Sequence, residues 1–193
     1  MLKSVATFTL DNIGNLLSSN NIANTMTSNG RLINVRTVEK YLEGFIESFF
    51  LYKAARYDIK GKQYLKSGGK YYVSDLGLRY FILGRKLGDR GHILENVIYL
   101  ELLRRGYDVY VGKVDDYEVD FVAINSEGRI YVQVCETLKD NENKILKREL
   151  NSLQKISDNY GKIILTLDKI PRSNEEGIIV KNALEWLIDD KTI

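Results

Sequence analysis

Three residues of the second half of the chain carry side chains able to do chemistry and fall at defined places in the local pattern. Glu95 lies in Glu95-Asn96-Val97-Ile98-Tyr99-Leu100-Glu101-Leu102, a stretch with helical spacing of its apolar residues. Asp120 stands in Glu118-Val119-Asp120-Phe121, a charge between hydrophobic neighbours on an alternating run that reads as a strand. Gln133 stands in Tyr131-Val132-Gln133-Val134-Cys135, the next strand-like run. A carboxylate buried alone in a strand is costly, so Asp120 requires a cationic partner, a metal ion or an opening to solvent.

These residues belong to an ordered series of elements. A helix through Ile93, Leu94, Val97, Ile98 and Leu102 ends at Gly106. Strands follow at 108–111, 117–124 and 129–135, the last two separated by the turn Asn125-Ser126-Glu127-Gly128. A charged helix spans roughly 141–156, a strand covers 162–167, and a short strand at 177–180 leads into a final helix with Trp186. The order of the first six is αβββαβ.

The first half reads differently. Leu10, Ile13, Leu16 and Leu17 keep helical spacing, and a short helix is expected over 22–26. Asn34 is placed to cap a third helix, whose stripe is Val35, Val38, Tyr41, Leu42, Phe45 and Phe49. A strand over 50–59, a basic glycine-bearing excursion over 60–70 and a returning strand Tyr71-Tyr72-Val73 form a hairpin. Asp75 then caps a short helix, in which Asp75 and Arg79 have the spacing of an ion pair. Three helices followed by a basic hairpin is the outline of a winged helix, whose hairpin or wing can touch the DNA backbone. Candidate nucleic-acid contacts are Arg36 and Lys40 on the third helix and Lys53, Arg56, Lys60, Lys62, Lys66 and Lys70 on the wing. Glu39, Glu43 and Glu47 argue against base reading by the third helix, and a protein-docking winged helix competes with the DNA reading. Tyr52, Tyr57, Tyr64, Tyr71 and Tyr72 are interleaved with these lysines and could stack on bases, although packing of a hairpin on its helices is the commoner use of such rings.

Composition bounds the rest. The 193 residues are 44% hydrophobic and 28% charged, which is globular rather than disordered. The length allows one domain or two small ones, and the expected division is residues 1–86 and 87–193, joined across 84–91. One cysteine, Cys135, and one histidine, His92, exclude a disulfide framework, a multi-cysteine zinc site and a two-histidine zinc protease helix. Cys135 is expected as a buried small hydrophobe. No apolar run approaches membrane-spanning length and the start lacks a signal-peptide stretch, so a cytoplasmic chain is expected. The net charge of +2 hides an asymmetry. Residues 1–90 hold 14 Lys/Arg against 7 Asp/Glu, and residues 91–193 hold 14 against 19, that is +7 and −5.

On the residues quoted, the αβββαβ unit resembles the PD-(D/E)XK nuclease superfamily, and the expected architecture is α+β / α/β, a winged helix followed by a restriction-endonuclease-like domain. The resemblance implies that Glu95 and Asp120 match the acidic positions that hold Mg²⁺ through hard oxygen ligands. There the metal activates a water and polarises a phosphate. Gln133 matches the Glu/Gln position. Cys135 stands where the superfamily has lysine, and a thiol cannot replace an ammonium, so the resemblance implies a degenerate, inactive site. The alternative is a metal-dependent deoxyribonuclease using Glu95, Asp120 and Gln133 with a lysine that has migrated, for which Lys139, Lys144 and Lys147 are candidates.

Taken whole, the chain resembles the C-terminal region of a prokaryotic family of AAA+ ATPases. The stretches that carry this are Lys70-Tyr71-Tyr72-Val73-Ser74-Asp75-Leu76-Gly77-Leu78-Arg79, Glu95-Asn96 with Glu101-Leu102, and Gln133-Val134. The resemblance implies an accessory DNA- or protein-binding module serving a P-loop ATPase. ATP is implied only for an N-terminal module this chain lacks, since G-x-x-x-x-G-K-[ST] does not occur in it. No cofactor is expected in the chain itself, and Mg²⁺ only if the nuclease site functions. A transcription regulator with a winged helix and a sensory domain is a third reading, which implies dimerisation.

Overall fold

The structure is a computed structural model that describes residues 1–84, 88–140, 142–169 and 173–189. Its architecture is α+β. Three helices open the chain, α1 (Leu2–Asp11), α2 (Ser19–Ser28) and α3 (Val35–Glu47), followed by the antiparallel pair β1 (Leu51–Asp58) and β2 (Gln63–Val73). Then come α4 (Leu76–Leu83) and α5 (Arg90–Arg104), the strands β3 (Asp108–Val114), β4 (Tyr117–Asn125) and β5 (Gly128–Cys135), and α6 (Lys144–Gln154). The chain continues through β6 (Gly161–Thr166), β7 (Ser173–Glu175), β8 (Ile178–Asn182) and α7 (Ala183–Ile188).

Local rules explain most boundaries. The Asn34 side chain accepts the Thr37 N–H at 2.8 Å, which satisfies one of the orphan donors at the start of α3. Asp75 does the same for Gly77 at 2.6 Å at the start of α4. The first helix is shorter at its C-terminal end than the apolar spacing predicts. It stops at Asp11, and Gly14 at φ 75° turns the chain so that its N–H bonds the Tyr71 carbonyl at 3.2 Å. The second helix is longer than predicted, because Ser18 caps it by accepting the Asn21 N–H. The basic excursion over 60–70 is largely part of β2, with a bulge where the register jumps between Ala55 and Arg56. Phe49 leaves the α3 stripe and is exposed. The short β7, predicted from no pattern, pairs with β8.

Among the described residues the strands form one mixed sheet in the order β2-β1-β3-β4-β5-β6-β8-β7. The hairpin of the first half joins the strands of the second through parallel pairing of Arg56, Tyr57 and Asp58 with Val111, Gly112 and Lys113. The position expected for the boundary between halves, Arg85-Lys86-Leu87, lies outside the described residues. Three apolar clusters surround this sheet. One holds α5 and α7 with Tyr72, Phe121, Val132 and Trp186. The second packs α6 on Tyr131, Cys135, Ile164 and Val180. The third gathers α1, α2 and α3 on Leu51, Tyr71 and Val73 of the hairpin. Alternation along β2 therefore sends Tyr71 and Val73 to the N-terminal helices and Lys70 and Tyr72 to α5. No helix among the described residues is long and apolar enough to cross a membrane.

Candidate functional site

The site forms where the β4–β5 ladder opens. Backbone pairing runs from Asn125 and Gly128 to Phe121 and Val132. Beyond Phe121, side chains replace backbone partners. The Asp120 N–H donates to Gln133 Oε1 at 3.1 Å, and the Val134 N–H donates to Asp120 Oδ2 at 2.9 Å. The remaining Asp120 oxygen faces α5, where Glu95 lies on the buried side beside Leu94 and Asn96. Glu95 and Asp120, both expected as metal ligands, are thus brought together.

The cation between them is a side chain. Lys70 Nζ lies 2.9 Å from Glu95 Oε1, 3.2 Å from Asp120 Oδ1 and 2.7 Å from Glu118 Oε1. An ammonium has three N–H donors, and three carboxylates surround this one. The Lys70 side chain is only 4% exposed. The expectation that it contacts DNA from the wing is corrected here: the parity of β2 turns it into the protein, toward α5. Burial works against its charge, but Asp120, Glu95 and Glu118 outweigh that effect and hold the ammonium above its ordinary pKa. Glu95 behaves in the opposite way to a simple ion-paired acid. Burial, and then the negative charge of Asp120, push its carboxyl up to about 7 against the pull of Lys70 and Tyr72. The Tyr72 hydroxyl donates to the same Glu95 oxygen at 2.6 Å. Gly14 packs against the carboxyl from the other side, where an added Cβ would lie 3.2 Å from Glu95 Oε2 and 2.9 Å from His92 Nδ1.

These residues do not fit a bound divalent cation. The two oxygens that would face it, Glu95 Oε1 and Asp120 Oδ1, are both in contact with the Lys70 ammonium. Among the described residues no cluster of three or more His, Cys, Asp or Glu side chains is arranged to hold a metal. Gln133 does not join the cation either. Its Nε2 donates to the buried Glu149 at 2.7 Å, and Arg148 covers that carboxylate from the solvent side at 2.5 Å. A cleft of about 330 Å³ opens beside Asp120, with Asp116, Glu118, Asp120 and Glu149 in its wall against Arg148. Such a wall repels phosphate. Cys135 is buried, and burial followed by the charge of Glu149 pushes its thiol up to about 12. Lys139, Lys144 and Lys147, the candidates for a migrated lysine, stand at exposed positions of the segment that includes α6, and Lys144 pairs with Glu142.

The other nucleic-acid candidates are on the surface. Arg36 and Lys40 are exposed on α3, Lys53, Lys62 and Lys66 are exposed on the hairpin, and Arg56 is half-buried. Lys60 is exposed and paired with Asp115 at 2.6 Å. Lys53 and Lys66 share a cleft of about 230 Å³ with Glu39 at the N-terminus of α2.

The remaining motif residues have architectural partners. Asn96 Oδ1 accepts the Val73 N–H at 2.8 Å and its Nδ2 donates to the Val73 carbonyl at 2.9 Å, so one side chain closes the open edge of β2 onto α5. The expected Asp75–Arg79 pair is not the one formed. Asp75 is engaged as the α4 cap, and Arg79, fully buried, donates to the Leu10 carbonyl at 2.9 Å and pairs with Asp89 ahead of α5. Glu101 accepts from Arg104 and Arg105.

Residues 1–88 match the model of a family described as a domain of unknown function (DUF8612). An uncharacterized protein of Haemophilus influenzae is 40% identical over 188 residues, which cover 97% of this chain and 46% of that protein. An uncharacterized protein of Methanocaldococcus jannaschii is 30% identical over 191 residues, covering 92% and 42%. The chain therefore spans somewhat less than half the length of these curated relatives. No solved structure matches the chain.

Proposed function

We propose that the chain is an accessory DNA-binding module, built from a winged helix and a PD-(D/E)XK-type unit whose cation position is filled by Lys70. The observation that carries the second part is the contact of one buried ammonium with Glu95, Glu118 and Asp120. A lysine that makes three ion pairs is held in place electrostatically, and a divalent cation would have to displace it. The helix-helix-helix-hairpin order and the exposed Lys53, Lys62 and Lys66 support the first part. The greater length of the relatives leaves room for a further module, in line with service to a P-loop ATPase.

The test is a gel assay of labelled duplex and branched DNA with Mg²⁺ or Mn²⁺, run on the chain and on Asp120→Ala. A salt-sensitive shift without cleavage is expected. Metal-dependent cleavage that disappears in Asp120→Ala would make the chain a deoxyribonuclease and overturn the reading. Absence of both shift and cleavage would replace the DNA partner with a protein.

A further inference from the structure

One face of the sheet carries a row of rings and a cation that the site above does not use. Tyr57 of β1 stands opposite Tyr64 of β2 in the ladder, with ring centroids 5.4 Å apart. Tyr110 of β3 lies 5.1 Å from Tyr64 and 6.1 Å from Tyr57. The Arg129 guanidinium is 5.1 Å from the Tyr57 ring and 5.4 Å from the ring of Tyr160. The row thus runs without a break from Tyr64 through Tyr57 and Arg129 to Tyr160.

Its middle is fixed and its ends are open. Tyr57 is 5% exposed, while Tyr64 is 62% and Tyr160 is 48% exposed. Arg129 is held by two bonds, Nη2 to the Tyr57 hydroxyl at 3.2 Å and Nη1 to the Tyr131 hydroxyl at 3.3 Å, and Tyr131 in turn bonds Asp158. Packing accounts for Tyr57 and Tyr131. It does not account for two large rings left in water at either end of a rigid cation-ring stack.

We infer that this face binds single-stranded nucleic acid, with unpaired bases stacking on Tyr64, Tyr110 and Tyr160. Aromatic platforms beside basic residues bind single strands because every base offers a π-face and every linkage a charge. The charges here are Arg129, the exposed Lys62 two residues before Tyr64, and the exposed Lys53, which alternation along β1 places on the same face as Tyr57. Asp108, two residues before Tyr110 on β3, is an exposed acid on this side, the exposed Glu39 shares a cleft with Lys53, and Asp158 is engaged by Tyr131. A duplex cannot use the rings, since its bases are already stacked. The inference deepens the DNA-binding reading proposed above by adding a single-strand surface to the hairpin.

The experiment is fluorescence anisotropy of the 193-residue chain with two probes, a labelled oligothymidylate and a labelled duplex. The variants are Tyr64→Ala, Tyr160→Ala, Tyr64→Phe and the charge reversal Lys53→Glu with Lys66→Glu, each checked for an unchanged melting temperature. The oligothymidylate should bind, Tyr64→Ala and Tyr160→Ala should each weaken it about tenfold, and Tyr64→Phe should retain it because the ring is kept. Duplex affinity should be indifferent to the tyrosine changes. If the oligothymidylate fails to bind, or binds both alanine variants as tightly as the wild type, the inference is overturned. Duplex binding lost on lysine reversal would then leave the proposed function standing alone. Ring-dependent single-strand binding without duplex binding would instead sink the wing contact and keep this surface.

Discussion

Lys70 and Glu95 are 25 residues apart in the chain and 2.9 Å apart in space, and both are buried. Their contact welds the edge strand of the N-terminal hairpin to the first helix of the following unit. It also sets the charge balance of the site, because Asp120 and Glu118 share the same ammonium.

Replacing Lys70 by methionine leaves this cluster of acids without its cation. Removing one partner from a buried ion pair costs about 3–5 kcal/mol, and urea unfolding of Lys70→Met at neutral pH should show a loss in this range. Adding Glu95→Gln should restore part of it, since the two sites are in contact and their effects are not additive. An unchanged denaturation midpoint in Lys70→Met would mean that the cluster is solvated rather than locked.

The pH dependence follows from Glu95. Its carboxyl is raised from the ordinary 4.5 to about 7, first by burial and then by Asp120, so the folded chain binds this proton more tightly than the unfolded one. The stabilisation is therefore fully present below pH 4.5 and is lost as pH rises through about 7. Lys70 stays charged throughout this window, because its pKa is shifted upward. Thermal melts of the wild type should show a falling midpoint between pH 5 and 8, and Glu95→Gln should flatten that part of the curve. A slope unchanged in Glu95→Gln would assign it to another group.

Part of this arrangement was legible in the amino-acid sequence. The caps at Asn34 and Asp75 and, apart from β7, the order of strands and helices after Ile93 are set by residues near one another in the chain, and they appear as expected. Asp120 announced its need for a partner by being a charge in an apolar strand. The partner itself was hidden. Lys70 sits in a run of lysines that reads as solvated surface, and only the strand parity of β2 decides that it points inward. That parity depends on a bulge and on pairing with β1, neither of which has a local signature. The parallel join of Arg56 to Val111 is likewise a tertiary fact, as is the Arg79–Asp89 pair that replaced the expected partner, Asp75.

Asn96 makes a prediction independent of charge. Its amide satisfies both backbone groups of Val73, at 2.8 and 2.9 Å, and it is wholly buried. Asn96→Leu leaves a buried N–H and carbonyl unpaired at the sheet edge, each costing about 1–3 kcal/mol. Hydrogen exchange should report faster exchange of the Val73 amide, together with a lowered melting temperature. Asn96→Asp should be worse at neutral pH than at acid pH, because only the protonated acid can still donate.

Cys135 gives the last prediction. The position that the nuclease resemblance assigns to a catalytic lysine holds a thiol that is 8% exposed. Burial and the nearby Glu149 push its pKa up to about 12. The nucleophile is the thiolate, which is scarce at pH 8 for such a group. Alkylation by iodoacetamide should therefore be slow in the folded chain and rapid in denaturant, with a rate that tracks the opening of α6 from β5. Cys135→Ala should change DNA binding little, since the side chain is buried in the cluster beneath α6 and presents almost no surface to a ligand. Cys135→Lys should not restore a nuclease: it would put a second cation beside carboxylates that are already engaged, Asp120 by Lys70 and Val134, Glu149 by Gln133 and Arg148, and Asp168 by Thr137 and Leu138. Destabilisation without gain of cleavage is the expected result. Gain of metal-dependent cleavage would show that Lys70 gives way to a metal and that the site is one substitution from activity.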